Sequence, residues 1–172
     1  MIKIQNLYKS YGSLEVLKDV SFQIEQGDIF GIIGQSGAGK STLLRCFNGL
    51  ENFQKGDVIV DGQAVSSLNK KQLGSIQKEM GMIFQNFNLL NRLNVYDNVA
   101  LPLKFWKQDP HSLDNKQRIE KLLKLVGLED KSHAYPRQLS GGQKQRVEIA
   151  RALVLNLKIF LCDEETSSLD SK

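Results

Sequence analysis

Eight consecutive residues carry the most specific chemistry in the chain: Gly34, Gln35, Ser36, Gly37, Ala38, Gly39, Lys40 and Ser41, followed by Thr42. They fit the pattern G-x-x-x-x-G-K-[ST], whose glycines turn the backbone tightly and aim several N–H groups at one anion. The lysine brings a full charge to β- and γ-phosphates, and the serine hydroxyl offers a ligand to Mg²⁺. Two further clusters suit the same chemistry. Leu139-Ser140-Gly141-Gly142-Gln143 opens an amphipathic stretch in which Val147, Ala150 and Val154 share a face. Ser140 and Gln143 stand at capping-box spacing, so the stretch reads either as a well-capped helix or as a second anion-binding helix start. Both readings use the same N–H donors. Ile159-Phe160-Leu161-Cys162 is an apolar run ending in Asp163 and Glu164. In a phosphate-loop protein, an Asp at a strand end suits the Mg²⁺ shell. The adjacent Glu suits polarising a water for in-line attack.

These groups need elements to hold them. The apolar run Ile29-Phe30-Gly31-Ile32-Ile33 reads as a buried parallel strand leading into the phosphate loop, and Leu43, Leu44, Phe47 and Leu50 recur after it at helical spacing. Upstream, residues 2–8 alternate apolar and polar as a half-exposed strand does, and Val20, Phe22 and Ile24 repeat the pattern. Between them the turn Ser10-Tyr11-Gly12-Ser13 carries an aromatic ring, suited to stacking on a nucleotide base or to plugging a small sheet. Residues 57–61 read as a strand closed by an Asp61-Gly62 turn, residues 70–79 as a polar helix, and residues 80–84 as a short buried strand ending at Gln85. Asn94 is placed to cap a helix from Val95 towards Leu103, with Pro102 disturbing its end. Ser112 is placed to cap the next, in which Ile119, Leu122, Leu123 and Val126 share a face. Gly127 takes the C′ position there, and Leu128 folds back on the last turn.

Composition bounds the class. The 172 residues suit about one domain, and 41% hydrophobic content suits a packed core. No apolar stretch approaches the roughly 20 residues that span a bilayer. The N-terminus reads as a strand and not as a signal peptide, which leads to the expectation of a cytosolic chain. The net charge of +4 and pI near 9.0 suit an anionic ligand or a membrane-adjacent partner, and are weak support for nucleic acid. Cys46 and Cys162 fall in apolar segments and read as free core thiols. His111 and His133 lack metal-ligand spacing and are assigned no chemistry.

Taken in order, the phosphate loop, Gln85, Leu139 to Gln143 and Cys162-Asp163-Glu164-x-Thr166-Ser167-x-Leu169-Asp170 resemble the ATPase subunits of ABC transporters, from Ile2 to Asp170. The resemblance implies an α/β fold: a RecA-like P-loop NTPase core, an N-terminal antiparallel β subdomain and an inserted α-helical subdomain over about residues 86–140, in a single domain spanning 1–172. It implies that Tyr11 stacks on adenine and that Gly34 to Thr42 is the Walker A loop. Gln85 becomes the Q-loop glutamine that contacts Mg²⁺ and the attacking water, Asp163 the Walker B aspartate, and Glu164 the catalytic glutamate. Ser140, Gly141, Gly142 and Gln143 become the signature that contacts ATP held by a second ATPase subunit, and Ser168-Leu169-Asp170 the D-loop. Mg²⁺ is implied on Ser41, Gln85 and Asp163.

Gly81 to Leu90 and Asn98 to Leu103 resemble the methionine-uptake branch of bacterial importers, with polar amino-acid importers as near neighbours. The implied partners are an integral-membrane permease and, indirectly, a substrate-binding protein, at the cytoplasmic face of the membrane. Two departures stand out. Glu165 takes a place usually held by Ala or Pro, and the chain ends at Lys172, before the family's next strand and its switch histidine. From this follow the expectations of a core lacking its last part, a sheet with an uncovered flank, and no C-terminal regulatory domain. The rival readings are a non-catalytic nucleotide-binding remnant and a soluble ATPase acting on DNA or ribosomes. The latter kind carries a coiled-coil insertion or a second cassette, neither of which is present here.

Overall fold

The N-terminal alternation forms β1 (Ile2–Tyr11), with Ile2, Ile4 and Leu7 buried. Strict alternation would bury position 6 in place of position 7. Asn6 prevents this: its φ of 44° makes a bulge, and the register with both neighbouring strands shifts there. Leu7 and Lys9 thereby take the inner face. The bulge is held by a hydrogen bond from the Asn6 backbone N–H to Ser21 Oγ at 2.8 Å, and by Gly56, where a Cβ would lie 2.1 Å from the Asn6 carbonyl oxygen. Only glycine fits so close an approach.

The structure is a computed structural model that describes residues 1–83 and 88–163. β1 pairs antiparallel with β2 (Leu14–Ile24) on one side and β3 (Lys55–Val60) on the other. A tight turn with positive φ at both Asp61 and Gly62 leads to β4 (Gln63–Ala64), as the dipeptide predicts. The sheet order is β2-β1-β3-β4. Helix α1 (Lys40–Phe47) buries Leu43, Cys46 and Phe47, and α2 (Lys70–Lys78) buries Ile76. These elements form one compact unit, Met1–Gln77; Lys78–Lys172 form a second.

The run Ile29 to Ile33 departs from expectation. It forms no strand, and Ile29 and Ile33 are fully exposed at 102% and 99%. Apolarity makes such a run seek burial, but a strand also needs a neighbour to receive its N–H and C=O groups. No described strand ladders with it. Phe30 ties it to β2, its ring stacking on Phe22 with centroids 4.8 Å apart.

In the second unit β5 (Met80–Ile83) and β6 (Ile159–Cys162) pair in parallel, with Met80 opposite Ile159 and Ile83 opposite Cys162. Helices α3 (Val95–Phe105), α4 (Leu113–Leu125) and α5 (Gly141–Leu153) pack around a core that includes Val99, Leu103, Ile119, Leu123, Val147 and Ala150. Asn94 caps α3 as expected, accepting from the Asp97 N–H at 2.7 Å, and the helix runs on past Pro102 to Phe105. At the end of α4 the Leu128 N–H donates to the Leu123 carbonyl at 2.8 Å with Gly127 at φ 65°, and Leu128 is buried, the expected glycine-terminated closure. Two details correct the sequence reading. Ser112 holds the N-cap position of α4, but its hydroxyl donates to the Asp109 carbonyl instead of accepting from the helix. Cys162 is exposed and Cys46 buried: successive residues of β6 face opposite ways, and Leu161 takes the inward place. No helix among the described residues is long and apolar enough to cross a membrane.

Candidate functional site

The phosphate-loop residues sit where β2 and α1 meet. Gly34 to Ala38 are exposed, while Gly39 to Thr42 are partly covered. Gly37 and Gly39 have φ of 81° and 88°, and a Cβ on Gly37 would meet nothing within 4 Å. Gly39 is tight by contrast. A Cβ there would lie 2.9 Å from Val16 Cγ1 and 3.0 Å from the Val16 carbonyl oxygen, which seats the helix start on β2.

Gly39 is the N-cap of α1 and, being glycine, makes no side-chain cap hydrogen bond. An α-helix begins with N–H groups that lack intrahelical partners and with partial positive charge, so an uncapped start favours an anion. Lys40 Nζ donates to the carbonyl oxygens of Gly34 at 2.6 Å and Gln35 at 2.8 Å. These two oxygens stand in for the anionic oxygens an ammonium would take when a ligand fills the loop. The residues fit a polyphosphate: an exposed glycine loop, a glycine N-cap at the helix start and an ammonium held against the loop's own carbonyls.

Tyr11, at the end of β1 in the same unit, keeps 46% of its surface exposed. It pairs with Leu14, two residues before Val16, and so lies about 7 Å along the strand from the contact under Gly39. Lys9 and Glu51 escaped the sequence reading. Lys9 Nζ donates to Glu51 Oε1 at 2.6 Å and stands 4.4 Å from the Tyr11 ring centroid. The i, i+2 relation of Lys9 to Tyr11 was the available signal, since both side chains share a strand face; nothing local points to Glu51.

The second unit carries the other site residues. Ser140 caps α5: the Gln143 N–H donates to Ser140 Oγ at 3.3 Å, and the Ser140 N–H donates to Gln143 Oε1 at 2.9 Å. The expected capping box is therefore formed, with Gly141 and Gly142 exposed inside it. Asp163 is buried just after β6, its N–H donating to the Ile83 carbonyl at 3.0 Å. Gln85, Glu164, Glu165 and Ser168 to Asp170 lie outside the described residues. His111 and His133 line one cleft with Tyr96 and Glu120, and His111 stacks on Tyr96.

Comparison with known proteins decides the family. A family described as "ABC transporter" matches residues 17–167. The chain belongs to the ABC transporter family. It is 57% identical over 170 residues to the methionine import ATP-binding protein of Clostridium tetani, covering 99% of this chain and 53% of that protein. The counterpart in Clostridioides difficile is 58% identical, with 99% and 52% covered. The Campylobacter jejuni counterpart is 51% identical over 185 residues, with 99% and 55% covered. The chain thus spans about half the length of the curated relatives it matches. Among solved structures, a dimeric ATP-binding cassette in a post-hydrolysis state bound to ADP and Pi matches with TM-score 0.88 and 38% identity, over 99% of this chain and 77% of that one.

Proposed function

We propose that this chain is the nucleotide-binding portion of an ATP-hydrolysing importer subunit that energises methionine uptake. The observation that carries the reading is the exposed glycine loop leading into the glycine N-cap of α1, with Lys40 held against the Gly34 and Gln35 carbonyls. The identity of 57% to a methionine import ATP-binding protein over 99% of the chain supports the transported substrate.

In this reading Gly34 to Thr42 grip the β- and γ-phosphates, Lys40 exchanges its two carbonyl partners for phosphate oxygens, and Tyr11 stacks on adenine. Ser41, Asp163 and Gln85 hold Mg²⁺, which when bound offsets charge on the phosphates. Glu164 accepts a proton from the attacking water. Ser140 to Gln143 meet ATP held by a second copy, and the pair docks on a membrane permease at the cytoplasmic face, fed by a substrate-binding protein. The described residues belong to a single ATPase domain, with a helical subdomain over about 86–140.

A second reading, nucleotide binding without turnover, draws on the exposed run from Ile29 to Ile33. Among the described residues the segment leading into the phosphate loop forms no ladder, and the loop's end is seated on β2 through Gly39. Measuring ATP binding and hydrolysis by the 172-residue chain separates the two. Hydrolysis that disappears with Glu164→Gln supports the enzyme; binding lost with Lys40→Ala and no turnover supports the second reading; no binding overturns both. Replacing the matching portion of a methionine-import ATPase subunit with this chain is expected to retain methionine uptake in cells. Loss of methionine uptake in a swap that still hydrolyses ATP overturns the pairing with a methionine permease.

A further inference from the structure

Lysine is among the residues least often buried without a partner, yet Lys9 is only 6% exposed, on the inner face of β1. Its partner Glu51 lies 42 residues away, just past α1, where its backbone N–H donates to the Arg45 carbonyl at 3.1 Å. The same short segment grips β1 again. Gln54 accepts from the Ser10 N–H through Oε1 at 2.9 Å and donates through Nε2 to the Ser10 carbonyl at 3.1 Å, while the Gln54 N–H donates to the Tyr8 carbonyl at 3.0 Å. Residues 8, 9 and 10 are therefore all tied to 51–54, immediately before Tyr11. The lysine ammonium lies 4.4 Å from the ring centroid, within the range of a cation–π contact, while nearly half of the tyrosine surface stays open. Glu51 is held well below the usual carboxylate range, first by the Lys9 hydrogen bond and next by the Tyr11 hydroxyl, and Lys9 is held above its usual value chiefly by Glu51.

We propose that Lys9 and Glu51 are positioning residues for Tyr11: the pair fixes the ring from one side and so presents its other face to the base of a bound nucleotide. The inference rests on the base-stacking reading of Tyr11, and the experiment separates the two. It compares binding of ATP with binding of inorganic tripolyphosphate, which has no base, to the 172-residue chain. Tyr11→Ala is expected to weaken ATP roughly tenfold and leave tripolyphosphate within about twofold, since base–aromatic stacking acts on the base alone. The double change Lys9→Met with Glu51→Gln, which leaves no lone buried charge, is expected to give the same split, and adding Tyr11→Ala to it no further loss. Lys9→Arg is expected to restore ATP affinity. Lys9→Gln keeps a donor for Glu51 and removes the ring's cation; it serves if the double variant does not fold, with a smaller loss confined to ATP.

If Tyr11→Ala alone weakens ATP, the stacking reading stands and the positioning inference is overturned. If Tyr11→Ala changes nothing, both fall. If ATP and tripolyphosphate weaken together in the Lys9 and Glu51 variants, the pair only maintains the fold and the inference is overturned.

Discussion

Two helices in this molecule begin beside glycines, and they begin differently. α1 starts after Gly39, in left-handed backbone, with an N-cap that has no side chain to make a cap bond. α5 starts after Ser140, in extended backbone, with a reciprocal Ser140–Gln143 box. At the first the N-cap has no side chain, and the helix's own first residue, Lys40, supplies the charge that would attract a ligand. At the second the Gln143 N–H is already held by Ser140 Oγ, with Gly141 and Gly142 exposed beside it. Glycine content alone does not distinguish them; what occupies the N-cap does.

The largest expected effect follows from removing the charge at the open start. Lys40→Ala is expected to lower ATP affinity by roughly a hundredfold or more, because two charge-assisted hydrogen bonds are lost at about 1.5–3 kcal/mol each. Isothermal titration measures it, and affinity within about threefold of the parent would dissolve the contrast between the two helices. Next, Gly39→Ala is expected to destabilise the first unit by roughly 2–3 kcal/mol, since left-handed backbone costs a Cβ about 1–2 kcal/mol. The new Cβ also meets Val16 at 2.9 Å. Urea unfolding followed by far-UV circular dichroism reads it.

Alkaline titration sharpens the comparison between the units. Burial pushes the Cys46 thiol up to about 11, and Lys9 is also raised, chiefly by its hydrogen bond to Glu51. Groups that hold their protons more tightly when folded contribute stability below their unfolded values and lose it as pH rises through the folded ones. The first unit should therefore weaken from about pH 9, the ordinary value of Cys46, by up to about 1.4 kcal/mol per pH unit. Among the described residues of the second unit, burial raises Tyr96 from 10.0, so its own contribution is lost about one pH unit later. The chain's one tryptophan, Trp106, reports on the second unit by fluorescence, and far-UV dichroism reports on both. Stability unchanged between pH 9 and 10 would refute the contribution of Cys46.

The smallest effect is at the closed start. Ser140→Ala is expected to cost the second unit about 1 kcal/mol and Ser140→Gly only a few tenths, the ordinary range for an N-cap. The Trp106 urea midpoint distinguishes these, and equal losses would mean that the box contributes nothing.

What was legible in the sequence was local. The Asn94 cap, the Ser140 box, the Asp61-Gly62 turn and the Gly127 closure each depend on groups within about five residues, so spacing alone reveals them. The phosphate loop belongs to the same class. What stayed hidden depends on chain segments far apart: the bulge at Asn6 against Gly56, and the tie from Glu51 and Gln54 back to residues 8–10. The run from Ile29 to Ile33 shows the limit in reverse. Its composition stated a preference for burial correctly, but a neighbour for its backbone is a fact about other residues. Cys162 likewise follows the two-residue period of β6, which apolarity alone does not resolve.

That same run has a consequence for handling the protein in solution. Five residues without charge or proline, with two isoleucines fully open and no neighbouring strand among the described residues, form a surface on which identical chains can line up. A net charge of +4 opposes such contact at low salt, and added salt screens that repulsion within about 10 Å. Turbidity that rises with both concentration and ionic strength is the expected behaviour, and Ile33→Lys, which places a charge at the exposed end of the sticky segment, is the change that should clear it.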